Sequence, residues 1–427
     1  MMHKLIYHLG QYFRNPTLKK SYRFLKTTEN WSLEQLEDYQ FKKLKEILIL
    51  AKENSTYYKS KYTNINIHDI KTLDELSKIP ILTKEELIEN VNEIHTNLKF
   101  HKQFLATTSG TSGQSLKFYR NEEADSFNRA AIQRGYSWHN VNPWDRNGYF
   151  WGFSFSFTSK IKNRILDKLQ NRFRIFSFEE KSLKSFIKKT KNAIYIQGYS
   201  SMIYQTAVLI NKLNLEKPKN IKLVKGTSEK IFDSYQEEIK KAFGLKMVSE
   251  YGATEAGIIG FECDNGNIHI NMEGVYVEEI NNEIFVTNLQ LKSFPIIRYK
   301  LGDYISLAPR NEECTCGKKH LIIKEITGRV GENIYGKQNL YPSLYLYYIF
   351  KNISKKENVN LNYQVLQEEK GKLVFLIENN IEKDLQKKLG EEINQHFKDD
   401  IDFVIHTKAE LKKSKGKLKN FISTINE

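Results

Sequence analysis

Apolar positions in the first hundred residues fall at helical spacing. Leu33, Leu36, Leu44, Ile47 and Leu48 share a segment that Ser32 and Gln35 open with the spacing of a capping box. Thr72 with Glu75, and Thr83 with Glu86, repeat that spacing, and Pro80 breaks the chain between them. This stretch is expected to be helical. From Gln103 the texture changes: a polar, glycine-bearing run, TTSGTSGQS, separates two apolar runs. AIYIQG and IKLVKG then read as short strands. A helix follows the first from about Ser201, and one ending near Gly244 follows the second. Such alternation predicts a mostly parallel sheet flanked by helices. From Asn267 the segments NIHINMEGVYVEEI, EIFVTNL and FPIIRYKLGDYISL alternate as antiparallel strands do. Beyond Gly328 the order is strand LNYQVLQ, strand KLVFLIE, a helix over 382–397 and strand IDFVIHT. The fold class expected is α/β. A large N-terminal domain (1–328) carries parallel and mixed sheets with helices, and a small α+β domain (329–427) follows, with the boundary near Arg329.

A chain of 427 residues, 40% of them hydrophobic, can bury a substantial core without disulfides. Its three cysteines are too few for a disulfide framework. The net charge of +15 admits a nucleic-acid or membrane-surface binder. The lysines are spread along the chain, however, and no nucleic-acid-binding signature is present, so solvated basic helix faces are the preferred reading. No stretch has the run of apolar residues that spans a bilayer, and the N-terminus lacks a signal-peptide core. A cytoplasmic protein is expected, and its oligomeric state is left open.

Several short motifs bear chemistry. Thr107-Thr108-Ser109-Gly110-Thr111-Ser112-Gly113 offers backbone N–H groups and hydroxyls that can surround phosphate oxygens. It lacks the Walker lysine, and an ordinary solvent loop has a similar composition. In Glu250-Tyr251-Gly252-Ala253-Thr254-Glu255-Ala256-Gly257 an aromatic face could stack a purine and Gly252 permits close backbone approach. Thr254 is a phosphate-directed hydroxyl there, and Glu255 a hard ligand for Mg²⁺. A strand-to-helix turn with a capping glutamate would look the same. Arg298-Tyr299-Lys300-Leu301-Gly302-Asp303 places an acceptor suited to vicinal ribose hydroxyls, or else a plain β-turn. Gly328-Arg329, then Gly336 and Asn339-Leu340-Tyr341-Pro342, and finally Ser414-Lys415-Gly416-Lys417 complete the series.

In this order and spacing the chain resembles the adenylate-forming superfamily of acyl-CoA synthetases, luciferases and nonribosomal adenylation domains. Within it the likeness is to the phenylacetate–CoA ligase branch, including ligase-like proteins of capsular polysaccharide loci. TTSGTSG looks like the phosphate loop, SEYGATEAG the adenine and magnesium motif, and RYKLGD the ribose motif. ITGR looks like the hinge, YGKQNLYP the lid loop, and SKGK the terminal catalytic-lysine motif. The resemblance implies ATP-dependent formation of an acyl-AMP from a small carboxylic acid. Transfer to coenzyme A would follow a rotation of the C-terminal lid; an amine or hydroxyl acceptor on a glycan precursor is the alternative. It implies that Thr108, Ser109, Gly110, Thr111, Ser112 and Gly113 hold the β- and γ-phosphates, and that Gly226, Thr227, Ser228 and Glu229 line the adenine. Tyr251 would pack on the purine beside Gly252. Thr254 would contact the α-phosphate, Glu255 the Mg²⁺, Asp303 the ribose with Arg329 nearby, and Lys417 the carboxylate and α-phosphate. The chain departs from the branch at Gly331, where an acidic hinge residue is common. Other departures are the lid-loop end Pro342-Ser343-Leu344-Tyr345-Leu346, without its glutamate, and Gln114-Ser115, without a proline.

Cys263, His269, Cys314 and Cys316 form a Cys₃His set suited to structural tetrahedral Zn²⁺, as ligase-like proteins of the branch resemble; three free thiols and a surface histidine are the alternative. Trp138, Trp151, Phe153 and Tyr199, in or near an aromatic-dense segment, are candidates for an acyl pocket, although each could equally be packed core. The branch favours an aryl or arylacetyl acid, while nearby lysines could receive a second anionic group on an amino acid or sugar acid.

Overall fold

The computed structural model describes residues 2–108, 116–150, 157–174, 180–229, 231, 233–328, 333–357, 359, 361–411, 413–414, 417–418 and 421–425. Its N-terminal hundred residues are helical, as the apolar spacing predicts: α1 (Met2–Arg14), α2 (Leu18–Thr28), α3 (Leu33–Asn54), α4 (Thr56–Lys61), α5 (Lys84–Glu89) and α6 (Val91–Ile94). Ser32 and Gln35 close a capping box on α3, and Thr83 and Glu86 close one on α5. The box expected at Thr72 does not form. The Glu75 carboxylate instead accepts from the Lys71 backbone N–H at 2.6 Å, and the chain enters a short 3₁₀ turn at Asp74.

A hairpin of β1 (Gln103–Thr107) and β2 (Lys117–Asn121) leads into α7 (Glu122–Trp138). Alternation then runs β3 (Asn147–Phe150), α8 (Phe157–Leu169), β4 (Arg172–Arg174), α9 (Glu180–Thr190), β5 (Tyr195–Tyr199), α10 (Ser200–Lys212), β6 (Leu223–Thr227), α11 (Asp233–Phe243) and β7 (Met247–Ala253). These strands pair in parallel in the order β4-β3-β5-β6-β7, because each intervening helix carries the chain back to the same sheet end. The antiparallel set is β8 (Gly257–Glu262), β9 (Ile268–Ile270), β10 (Val275–Ile280), β11 (Glu283–Asn288), β12 (Tyr299–Leu307) and β13 (Ile322–Gly328). It continues the same sheet, in the order β10-β11-β12-β13-β9-β8-β7, rather than forming a second one. Helix α7 lies close on β8: a Cβ on Gly135 would stand 2.4 Å from the Phe261 ring, so only glycine allows this approach. Tyr136, Val141, Tyr195, Leu223 and Phe261 fill the core there.

The chain divides into two compact units, residues 1–107 with 117–329, and residues 108–116 with 330–427. In the second unit β14 (Asn333–Tyr335) and β15 (Leu340–Pro342) pair, and α12 (Leu344–Glu357) follows. Next come β16 (Tyr363–Gln367), β17 (Lys372–Ile377), α13 (Lys383–Phe397), β18 (Asp402–His406), β19 (Lys413–Ser414), β20 (Lys417–Leu418) and β21 (Phe421–Ser423). The sheet order is β18-β17-β16-β21, with α12 packed on α13. Val365, Leu373, Phe375, Ile353, Leu389 and Ile393 are buried in this α+β unit. Among the described residues no helix is long and apolar enough to cross a membrane.

Candidate active site

In an open α/β sheet the backbone at the C-terminal ends of parallel strands is free to meet a ligand, most of all where pairing switches direction. Here β7 is that point: it is parallel to β6 and antiparallel to β8. Registration sets Gly226 opposite both Gly198 and Ser249, and Thr227 opposite both Tyr199 and Glu250, so two motif segments end on one ledge. Gly226 is closely packed: a Cβ there would meet Ser200 Oγ at 2.6 Å and Met247 Sδ at 2.8 Å, and both side chains would have to shift. Ser228 turns the chain with a φ of 67°. Thr227 and Glu229 are half-buried beside it.

The turn from Gly252 to Gly257 is tight. A Cβ on Gly252 would sit 2.5 Å from the Gly257 carbonyl oxygen, and Gly257 has a φ of 85°. Three side chains from outside the motif brace this turn. Arg120 donates to the Thr254 carbonyl, Asn128 Oδ1 accepts from the Ile258 N–H at 3.2 Å, and Asn288 donates to the Ala256 carbonyl at 2.8 Å. Arg120, on β2, thereby ties the β1–β2 hairpin to the Thr254 turn, and it also reaches Asp125 on α7 at 3.4 Å.

The Tyr251 hydroxyl donates to Asp303 Oδ2 at 2.9 Å, and the Tyr299 hydroxyl to Glu255 Oε1 at 3.4 Å. The segments 250–257 and 298–303 are thereby joined at two points. Glu255 is buried and Asp303 half-buried. Arg298 is turned inward, pairing with Glu278 at 2.8 Å and donating to the Ser77 and Ile79 carbonyls. Beneath the ledge, Lys225 on β6 and Glu250 on β7 form a buried ion pair at 2.5 Å, with the ammonium 5.1 Å from the Tyr136 ring.

In the second unit, Thr108 closes the neck of the serine-threonine-glycine loop. Its N–H donates to the Leu116 carbonyl at 2.9 Å, and its hydroxyl accepts from the Leu116 N–H at 2.9 Å. Ser109 through Gly113, Arg329, Trp151 and Phe153 lie outside the described residues. Lys417 opens β20, in register with Ser414 on β19. The YGKQNLYP loop is organised by Asp400, whose carboxylate accepts from the N–H groups of Gln338 (2.8 Å) and Asn339 (3.1 Å) and from the Tyr341 hydroxyl (2.8 Å). No sequence motif marks Asp400, Arg120, Asn128 or Asn288. Each acts on a partner tens of residues away, and a pattern of neighbours carries no trace of that.

Cys263, His269, Cys314 and Cys316 come together, with all their ligand atoms within 4.8 Å of one another. Pairing of β9 with β13, Ile322 opposite His269, closes the gap in sequence between the two halves. Burial pulls the His269 imidazole down to about 4, so it is neutral, and burial pushes the Cys263 thiol up to about 12. A metal cation would favour the thiolate that burial disfavours, and the neutral ring is already in its ligating form. His269 Nδ1 lies 3.1 Å from the His320 carbonyl, leaving Nε2 toward Cys316 Sγ at 3.2 Å. Trp138 belongs to this neighbourhood: it packs edge-on to Phe261 and His269, and its Nε1–H donates to Glu29 at 2.8 Å. It is partly buried and packs against the cluster of Cys263, Cys314 and Ile322. Tyr199 stays at the ledge, buried at the end of β5.

Solved structures with a similar fold include 2-hydroxyisobutyryl-CoA ligase in the postadenylation state in complex with R3-HIB-AMP. It is 13% identical, with a TM-score of 0.60, and the match covers 93% of this chain and 91% of that one. The same ligase with 2-HIB-AMP and CoA in the thioesterification state is 14% identical, with a TM-score of 0.62 over 93% and 91% of the two chains. The chain has the fold of the adenylate-forming CoA ligases, as its motifs implied. No protein-family model matches it. Among curated proteins it is similar to protein CapK of Staphylococcus aureus, with 25% identity over 319 residues that cover 71% of this chain and 70% of CapK.

Proposed function

We propose that this chain is an AMP-forming ligase that activates a carboxylic acid with ATP and passes the acyl group to coenzyme A. The double tie of Tyr251 to Asp303 and Tyr299 to Glu255 carries the reading, because it unites the two motif segments at the sheet's switch point. In the first step a carboxylate oxygen bonds to the α-phosphorus while the bond to the bridging oxygen breaks. Pyrophosphate leaves with the electron pair. In the second, the thiol sulfur of coenzyme A attacks the acyl carbon, AMP leaves, and the thiol proton goes to solvent.

Tyr251, Gly252 and the Gly226–Glu229 segment receive the adenine, and Asp303 accepts from the ribose hydroxyls, with Arg329 in support. Thr108, Ser109, Gly110, Thr111, Ser112 and Gly113 hold the β- and γ-phosphates, and Thr254 the α-phosphate. Glu255 would hold the magnesium ion, whose charge offsets that of the phosphates. Tyr199 lines the acid side, with Trp151 and Phe153 from the aromatic segment. Asp303→Ala is expected to raise the KM for ATP about tenfold to a hundredfold, the loss of one or two hydrogen bonds to a charged group. The KM for the acid should move far less; an ATP KM that stays put would remove Asp303 from the site.

The Cys₃His cluster is proposed to hold a structural zinc ion. Purified protein should contain one zinc per chain by elemental analysis, and Cys314→Ser should lose it. Metal-free wild-type protein with an unchanged melting temperature would contradict the assignment.

The similarity to CapK, with the resemblance to ligase-like proteins of capsular polysaccharide loci, favours one alternative acceptor, an amine or hydroxyl on a glycan precursor. Incubation with acid, ATP and coenzyme A separates the readings. A CoA thioester supports the first. Acyl-AMP that yields a hydroxamate with hydroxylamine but no thioester supports the second.

A further inference from the structure

A surface helix of a water-soluble protein normally turns its apolar stripe toward the core. Helix α1 does the reverse. Met2, Leu5, Leu9, Tyr12 and Phe13 fall within one arc of the helix, and all are exposed, Leu5 at 61% and Phe13 at 73%. The face packed on the protein is the more polar one. There Tyr7, His8 and Lys4 gather on Trp144, the first two with ring centroids 5.4 and 5.1 Å away and the Lys4 ammonium 5.4 Å from that ring. Helix α8 adjoins it, since His3 Nδ1 lies 3.3 Å from the Leu169 carbonyl. Along α8 a second stripe, Ile161, Ile165 and Leu169, is also exposed.

The charge that the two helices themselves expose has one sign. Helix α1 contains no Asp or Glu, and the one acidic residue of α8, Asp167, is buried against Arg172 and Arg174. Lys162, Arg164 and Lys168 are exposed beside the apolar side chains of α8, and Lys4 is exposed on α1. A second copy of this face would bring like charges together, which disfavours self-association. Outward aliphatic and aromatic side chains framed by cations match a surface whose interior is hydrocarbon and whose boundary is anionic.

We propose that α1 and α8 dock the enzyme on the surface of an anionic lipid bilayer, lying in the headgroup layer without crossing it. This stands independently of the ligase reading, because neither helix carries a residue assigned to the reaction.

The test is co-sedimentation with vesicles of phosphatidylglycerol and phosphatidylcholine, against vesicles of phosphatidylcholine alone. Wild-type protein should bind the anionic vesicles and release as salt is raised. Leu5→Glu with Leu9→Glu should weaken binding by at least about tenfold, through lost apolar burial and added repulsion. Lys162→Ala should weaken it about fivefold. Circular dichroism and pyrophosphate exchange should not change in either variant. The proposal is overturned if wild-type protein leaves anionic vesicles unbound. It is equally overturned if the double variant binds as wild type does, or if the same substitutions dissolve a dimer while no vesicle binds.

Discussion

Replacing Lys417 by alanine is expected to lower acid-dependent ATP–pyrophosphate exchange by about 10²–10³-fold, or roughly 3–4 kcal/mol of barrier. The reason is electrostatic. A carboxylate is a weak anionic nucleophile, and the α-phosphate it must attack is also anionic. Repulsion grows as the two approach, and charge accumulates on the phosphoryl oxygens in the transition state. A fixed ammonium offsets both effects and has no comparable role in holding ATP alone. The loss should therefore fall on kcat, with the KM for ATP little changed. Lys417→Arg keeps the charge but not the compact ammonium, and should recover part of the rate. An exchange rate that survives Lys417→Ala would remove this residue from the chemistry.

The second large effect concerns stability. Glu273 is fully buried, and its carboxylate meets Arg134 Nη1 at 2.6 Å, His320 Nε2 at 3.0 Å and the Thr28 hydroxyl. Arg134 also donates to Asn271 at 2.8 Å. Burial alone would raise the Glu273 pKa, but Arg134 and His320 outweigh it and hold the carboxyl well below the usual carboxylate range. Arg134→Met leaves that carboxylate buried without its main partner and should cost about 3–5 kcal/mol in urea denaturation at neutral pH. A double change to apolar residues, Arg134→Met with Glu273→Leu, should cost less than the single one, because no charge is stranded. The pH dependence has a definite sign. The folded pKa lies below the unfolded value of about 4.3, so the contribution is complete above that value. It is lost as pH falls below it toward the folded pKa. Wild-type protein should weaken as pH drops below about 4.5, and Arg134→Met should show a smaller acid-dependent loss. Equal stability of wild type and Arg134→Met at neutral pH would deny the network its role.

What was legible in the sequence was what depends on near neighbours. Ser32 with Gln35 and Thr83 with Glu86 act across three residues, and both boxes form. Thr72 with Glu75 has the same spacing, yet Glu75 finds the Lys71 N–H and the chain tightens into a 3₁₀ turn. Contiguous motifs gave the ledge residues Gly226, Tyr251, Glu255 and Asp303, but not how they meet. That depends on the curl of one mixed sheet, which brings Tyr251 on β7 to Asp303 on β12 although three strands separate them in the sheet order. The three cysteines and the histidine of the cluster were visible by type, and only the β9–β13 pairing makes them neighbours. Nothing local marked the Arg134–Glu273 pair, whose members are 139 residues apart. The outward apolar stripe of α1 was likewise hidden, because helical periodicity reveals a stripe without saying which way it faces.

On the proposed function, ATP is cleaved between its α- and β-phosphates under attack by a carboxylic acid. The direct measurement is product analysis of α-labelled ATP incubated with the protein, magnesium and a panel of carboxylic acids. AMP, or acyl-AMP, together with pyrophosphate, appearing only with particular acids, is the predicted result. ADP with inorganic phosphate, or no acid-dependent turnover across aryl, amino and sugar acids, would contradict it.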